Sequence, residues 1–357
     1  MINIMIKPAS GRCDLKCEYC FYRDEMSQRN VADRGIMSAQ TARQLIEKAF
    51  DVADDGVLFT FQGGEPTLAG LDFFRDFAEL AQNMTKNSGK VAEFGIQTNG
   101  ILIDGQWAEF FAKNNFLVGL SVDGTEALHD AYRKTPAGSG SYAAVMEAAE
   151  RLKRAGVQFN VVTVVTAQLS SRAREIYSDY KRRGFVYQQY IPCLDTAGGK
   201  YAPTDMQYLL FLKELFDCYK ADMFNGRYVY IRRFENLRGM IAGYQPEECC
   251  LKGCCMPELV VEADGSVYPC DFYCTDGYLL GNINEHSVKE LLFSPNAFAF
   301  SQNNVRKDKK CLSCEWARFC RGGCPREYIG ESYRYCEATK AFLNYAIDDL
   351  YKIARLW

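Results

Sequence analysis

Cys13-Asp14-Leu15-Lys16-Cys17-Glu18-Tyr19-Cys20 sets three thiols at C-x3-C-x2-C, directly behind Ile2–Lys7, a short apolar run that reads as the first strand. On a compact loop this spacing lets three sulfurs converge on one face of a metal cluster. The count decides the chemistry. A closed structural site takes four protein ligands, whereas three leave one position free for another molecule. No fourth Cys follows until Cys193. An open iron on a 4Fe–4S cluster could be chelated by a small molecule that carries an amine and a carboxylate.

Outward from this loop, strands and helices alternate. Apolar, β-rich runs occur at Val57–Gln62, Glu93–Gln97, Leu117–Val122, Phe159–Val165 and Val186–Ile191. Helical patterns lie between and after them, at Ala39–Val52, Leu71–Asn83, Trp107–Lys113, Tyr142–Ala155 and Ser171–Arg183. Together with Ile2–Lys7 these give about six βα units, hence an α/β fold with a parallel sheet. A helical pair around Pro203–Asn225 and Glu235–Ala242 leads out of the region. From Cys249 onward the composition turns to Cys, Gly and aromatic residues, and little regular structure is expected. Two domains follow, 1–235 and 236–357.

Composition narrows the class. The chain has 357 residues, 48% hydrophobic and 24% charged, as in globular proteins, which excludes disordered and fibrous architectures. There is no apolar run of about 18 residues and no signal-peptide layout at the start, so a cytoplasmic location without membrane contact is expected. A net charge of −3 argues against nucleic-acid binding, which needs a basic face. Sixteen Cys in a reducing compartment point to metal rather than disulfides. With His129 and His286 as the only histidines, thiolate-only sites remain, for zinc or for iron–sulfur clusters.

The triad, with the aromatic Tyr19 before its last Cys, resembles the signature of radical S-adenosylmethionine (SAM) enzymes. That resemblance implies that Cys13, Cys17 and Cys20 hold a 4Fe–4S cluster and that SAM occupies the fourth iron. Reductive cleavage of SAM in that family yields a 5′-deoxyadenosyl radical, which abstracts hydrogen from the substrate. The cofactor carries the hard chemistry while the protein orients it and excludes water. Gln62-Gly63-Gly64-Glu65-Pro66 resembles the family's GGEP segment, which implies SAM contacts at Gly63, Gly64 and Glu65 besides Tyr19. Leu120-Ser121-Val122-Asp123-Gly124 ends another strand, and the resemblance sets Ser121 and Asp123 near the SAM ribose and methionine, Arg133 at its carboxylate and Leu194 at its adenine. A glycine turn before a helix and an ordinary strand-end turn are the plainer readings of these two segments. All the motifs fall at C-terminal strand ends, where parallel α/β sheets bind ligands. The family fold is a partial (β/α)6 barrel.

Cys311, Cys314, Cys320 and Cys324 follow C-x2-C-x5-C-x3-C, with Cys336 beyond, and Cys255, Gly265 and Cys270 precede them. This array resembles the SPASM extension of radical SAM enzymes, which binds two more 4Fe–4S clusters, making three in all. Carried over by position, Cys249, Cys255, Cys270 and Cys324 would hold one, and Cys311, Cys314, Cys320 and Cys336 the other. Cys250, Cys254, Cys193, Cys218 and Cys274 would be spare. A zinc ribbon is the competing account of this array alone, and it leaves the N-terminal triad unexplained.

Lys7-Pro8-Ala9-Ser10, Cys20-Phe21-Tyr22, Phe61–Gly70, Gln97-Thr98-Asn99-Gly100 and Val260–Tyr273 look like the anaerobic sulfatase-maturating enzymes. Those enzymes oxidise a Cys or Ser of a sulfatase peptide to Cα-formylglycine. The resemblance implies a peptide or unfolded protein as substrate and an external one-electron donor such as flavodoxin or ferredoxin. It makes Asp271 the proton acceptor, with Tyr22 and Gln62 lining the peptide cavity. A SPASM maturase that crosslinks a ribosomal peptide is the alternative, and the start of the chain, twelve residues before Cys13, leads us to expect no peptide-recognition domain ahead of it. A non-catalytic iron–sulfur carrier is a more distant one.

Overall fold

Each apolar run behind a turn forms a strand, and each amphipathic run between them a helix. The computed structural model describes residues 1–194, 199–304 and 308–356. The strands of the main fold are β1 (Ile2–Lys7), β2 (Gly56–Phe61), β3 (Val91–Thr98), β4 (Leu117–Ser121), β5 (Phe159–Val165), β6 (Tyr187–Pro192), β7 (Tyr230–Ile231), β8 (Leu259–Glu262), β9 (Ser266–Tyr268) and β10 (Gly281–Asn282). Helices follow each of β1 to β6, so the six expected βα units are present and the fold is α/β with a parallel sheet.

Contacts divide the chain into two compact units that are not contiguous in sequence. One comprises 1–121, 133–159 and 256–303, the other 122–132, 160–255 and 304–357. In the first, the strand order is β10-β9-β8-β1-β2-β3-β4. β1 pairs in parallel with β2 on one side, Ile6 opposite Phe61, and with β8 on the other, Lys7 opposite Glu262. β9 and β10 add antiparallel. The cysteine-rich stretch thus contributes three strands, which the sequence reading left irregular. Their brevity is the reason: two to four residues carry no visible alternation.

Helix α1 (Phe21–Ser27) opens at Cys20, and α2 (Ala39–Val52) is capped by the Ser38 hydroxyl accepting from the Thr41 N–H at 3.1 Å. Along α2, Ala42, Leu45, Ile46, Ala49 and Phe50 fall on one stripe and are buried. They pack with Ile4, Ile6, Phe59 and Phe61 of the sheet and with Phe74 and Phe77 of the helix Leu71–Ser88. The Phe61 and Phe74 rings lie 4.7 Å apart. Each such ring contributes roughly 1.5–3 kcal/mol by leaving water, which fixes the strand ends that carry the site.

In the second unit β5, β6 and β7 are parallel neighbours. The helix Asp205–Phe224, opened by a Thr204–Gln207 capping box, packs through Phe216 on Phe342 of the helix Cys336–Ile353, rings 5.7 Å apart. That last helix is a second correction to the irregular reading. Ala338, Phe342, Leu343, Ala346, Leu350 and Ile353 are its buried residues, at helical spacing. Among the described residues no helix is long and apolar enough to cross a membrane.

Candidate active site

The C-terminal ends of β8, β1 and β2 put Glu262, Lys7 and Gln62 in one row, with the Gln62 N–H donating to the Ile6 carbonyl at 2.9 Å. Past β1 the chain turns through Ser10, at φ 52°, into the cysteine loop. Past β2 it turns through Gly63 (φ 84°) and Gly64 (φ 50°). A Cβ on Gly63 would meet the Lys7 side chain, and one on Gly64 the Arg12 carbonyl oxygen. The glycines are therefore required by the chain's own close approach, which the Glu65 N–H completes by donating to that Arg12 carbonyl at 2.7 Å.

Glu65 is buried, and its carboxylate accepts from the Thr67 N–H and hydroxyl, the Thr98 hydroxyl and the Asn99 N–H at 2.6–3.1 Å. Burial pushes its carboxyl up despite those donors. With its acceptors taken, the side chain ties the end of β3 to the glycine turn. Asn99 then donates its amide to Asp14 Oδ1 at 2.6 Å and lies 3.7 Å from the Cys13 sulfur.

Of the three loop thiols, Cys17 is buried, Cys20 half-buried and Cys13 exposed. The Leu15 N–H donates to the Cys13 sulfur at 3.4 Å. Although Cys13 is exposed as a residue, the protein packed around its sulfur takes enough water from it to raise the thiol to about 12, and burial raises Cys20 as well. Without a cation the Cys13 and Cys20 thiols stay protonated, and ligation is what would make them thiolates. Tyr19 is buried beside them, with the Arg133 guanidinium 5.6 Å from its ring centre. Ser121 ends β4 and accepts from the Gln97 amide at 3.0 Å.

Asp271 sits in a short helical turn (Asp271–Tyr273) behind Cys270, 7% exposed. Its Oδ2 accepts from the Tyr22 hydroxyl at 2.7 Å and from the Gln62 amide at 2.8 Å, and those two groups are 3.0 Å apart. The Lys7 ammonium lies 3.0 Å from Oδ1 and 4.6 Å from the centre of the Tyr22 ring. Burial and the Asp271 carboxylate together push the Tyr22 phenol up. Burial would lower Lys7, but the Asp271 and Glu25 carboxylates outweigh it and the ammonium is held well above its ordinary value. Burial raises the Glu25 carboxyl to about 7. The fold thus brings Tyr22, Gln62 and Asp271 into contact. Lys7, Glu25, Arg29 and Glu262 join them, and Asn99 joins the cysteine loop, without having been singled out as site residues. Lys7, Glu262 and Asn99 lie inside quoted segments, whereas Glu25 and Arg29 do not.

In the second unit, Asp123 is buried and accepts from the Val164 N–H at 2.9 Å, while its own N–H donates to His129 Nδ1 at 3.2 Å. Leu194 follows β6, half-buried. Cys249, Cys250, Cys254, Cys255 and Cys324 line one cavity with Arg321 and Tyr328. Cys311, Cys314, Cys320 and Cys336 are all half-buried, and Cys336, at the first turn of its helix, is raised to about 11 by burial, then by Glu337, Cys320 and Cys311 nearby, against Lys340. Among the described residues no three Cys, His, Asp or Glu side chains close around a point as they would on a single ion. The donor set is thiols alone, soft ligands that suit iron–sulfur clusters, and the cavity offers such a group a thiol-lined space.

A strand-end triad of thiols on an α/β sheet, followed by a cysteine array, defines a radical SAM protein with auxiliary clusters. Residues 8–170 match the radical SAM superfamily model and residues 250–315 the SPASM iron–sulfur cluster-binding domain. The cysteine-type anaerobic sulfatase-maturating enzyme of Clostridium novyi is 38% identical over 99% of this chain and 97% of its own length. The serine-type enzyme of Bacteroides thetaiotaomicron is 30% identical, over 91% and 83%. A solved structure, native anSMEcpe with bound AdoMet and Cp18Cys peptide, superposes at a TM-score of 0.93 with 37% identity, covering 99% of each chain. This chain belongs to the anaerobic sulfatase-maturating enzymes.

Proposed function

We propose that the protein oxidises a cysteine, or a serine, of a sulfatase peptide to Cα-formylglycine. The observation that carries the reading is the Asp271 carboxylate, buried and held by Tyr22, Gln62 and Lys7 at the strand ends next to the cysteine loop. Higher identity to the cysteine-type relative favours cysteine.

Converting a CH2–SH side chain to an aldehyde removes two electrons from carbon, and water then replaces sulfur as hydrogen sulfide leaves. Bound SAM and clusters would supply the removal of the hydrogen atom and take the further electron. The chain's part is the proton. Asp271 accepts it from the substrate thiol or hydroxyl, as a base within hydrogen-bond reach of Tyr22 and Gln62. Those two side chains line the peptide cavity and keep the carboxylate in one orientation. Cys13, Cys17 and Cys20 hold the SAM-binding cluster. Cys249, Cys255, Cys270 and Cys324 hold one auxiliary cluster, and Cys311, Cys314, Cys320 and Cys336 the other. The backbone at Gly63 and Gly64, the Glu65, Ser121 and Asp123 strand ends, Tyr19, Arg133 and Leu194 form the SAM site. With the Glu65 carboxylate engaged by Thr67, Thr98 and Asn99, the contribution of that segment falls to its backbone. We assign the SAM chemistry to residues 1–235 and the auxiliary clusters to 236–357, with reduction by a cytoplasmic flavodoxin or ferredoxin.

The test is mass spectrometry of Cys-type and Ser-type sulfatase-motif peptides after anaerobic turnover with SAM and dithionite. Formation of the aldehyde supports the reading. A crosslinked peptide without aldehyde would replace it with a peptide-crosslinking activity, and no release of 5′-deoxyadenosine with a non-catalytic carrier.

A further inference from the structure

Beyond Asp271 a line of buried charge continues into the protein. The Lys7 ammonium, which faces Asp271, also contacts Glu25 Oε2 at 3.2 Å. Arg29, two residues past α1, reaches Glu25 Oε2 at 3.4 Å and Glu262 Oε1 at 2.7 Å. The Lys7, Glu25, Arg29 and Glu262 side chains are each 2% exposed or less. Glu262 Oε2 has no hydrogen-bond partner among the described residues. Two of these residues also grip the turn that carries Asp271: Arg29 Nε donates to the Cys274 carbonyl, and the Cys274 N–H donates to Glu25 Oε1 at 3.4 Å. Three carboxylates face two cations.

Stability does not account for this arrangement. Taking ions out of water costs more than their pairing commonly returns, and apolar side chains of equal volume would hold the same elements at least as well. A charge ladder does something apolar packing cannot, because each fixed charge sets where the next one sits. Its last rung is Asp271.

We propose that Glu25, Arg29 and Glu262 are positioning residues for the reaction: they clamp the 271–274 turn and the Lys7 ammonium, so that the Asp271 carboxylate keeps one orientation toward the peptide. The inference rests on Asp271 being the proton acceptor. None of the three touches substrate; they act through Lys7 and the turn.

The test uses the full-length, iron-reconstituted protein and a Cys-type sulfatase-motif peptide, and counts aldehyde formed per 5′-deoxyadenosine released. Glu25→Gln keeps the shape and an acceptor for the Cys274 N–H but removes the charge. We expect this ratio to fall about tenfold, with the peptide KM within about twofold and iron per chain unaltered. Combined with Asp271→Asn, Glu25→Gln should cost nothing further, because both act on one group. Should Glu25→Gln fail to load with iron, Arg29→Lys serves, since it keeps the charge but cannot span Glu25, Glu262 and the Cys274 carbonyl together; the ratio should again fall. A parental ratio in the loaded variants, whatever their melting temperature, overturns the proposal, as does a double variant whose losses multiply. The two readings separate cleanly: an Asp271→Asn protein with parental yield removes the base and this inference with it, whereas an impaired Asp271→Asn beside a parental Glu25→Gln removes this inference alone.

Discussion

The ammonium of Lys7 stands 3.0 Å from Oδ1 of Asp271, joining the end of the first strand to a turn that the chain reaches only after Cys270. Both are buried, so the carboxylate is held by a fixed counter-ion and two neutral donors rather than by water. Proton transfer to a positioned side chain is typically worth 10²–10⁴-fold.

Asp271→Asn keeps the size and removes the carboxylate proposed as proton acceptor. Aldehyde formation should fall by roughly 10²-fold or more, while SAM cleavage continues. Parallel chromatography of 5′-deoxyadenosine and mass spectrometry of the peptide read the two. Equal product from parent and variant would end the proton-acceptor role.

Tyr22→Phe takes away one of the two donors on Oδ2 and leaves Gln62 in place. A hydrogen bond to a charged group contributes about 1.5–3 kcal/mol, so aldehyde turnover should drop on the order of tenfold to a hundredfold. Steady-state kinetics at saturating peptide is the measurement. An unchanged turnover number would show that Gln62 and Lys7 suffice.

Gly64→Ala puts a Cβ against the Arg12 carbonyl on a backbone at φ 50°. The cysteine loop and the glycine turn must move apart, at about 1–3 kcal/mol for the strained residue alone. We expect iron bound at the N-terminal triad to fall and SAM cleavage to go with it. Iron analysis and SAM-dependent changes in the electron paramagnetic spectrum decide; a parental spectrum contradicts the packing argument.

Glu25 gives a pH dependence. Its carboxyl is raised by burial to about 7, from 4.5 in the unfolded chain, with Lys7 and Arg29 opposing and Asp271 reinforcing the rise, and with Glu262 facing Arg29 from β8. Between these values the folded protein binds the extra proton, so stability falls as pH rises through the window and the loss is complete above about 7. Melting temperatures from pH 5 to 8 should decline more steeply in the parent than in Glu25→Gln, which has no proton to lose. Identical slopes would place the proton elsewhere.

Cys336→Ser should lower iron from about twelve to about eight per chain if each cluster holds four irons. Because Cys336 opens the helix packed on Asp205–Phe224, thermal stability should fall with it. Parental iron content would take Cys336 out of the ligand set.

The strands were legible because a parallel sheet buried on both faces demands continuous apolar runs such as Val57–Phe61, and the ligand-bearing turns were legible because they punctuate those runs. Asp271 was visible only through the resemblance of its neighbours. The ladder was not visible at all. Glu25 and Arg29 sit four apart on or just past a short helix, where charges are ordinary, and their meaning comes from Lys7 and Glu262, which strand register alone makes neighbours. The helix Cys336–Ile353 did carry a helical repeat, at Ala338, Phe342, Ala346 and Leu350, set within a cysteine-rich composition that hides it.

The pairing of β1 with β8 has a consequence for synthesis. On the ribosome the first strand emerges at once and finds β2 soon after, yet its other edge stays bare until residues 259–262 have been translated. An unpaired edge of that kind recruits stray chains. Fragments ending before β8, whether made by truncation or by stalled translation, should therefore clump rather than fold.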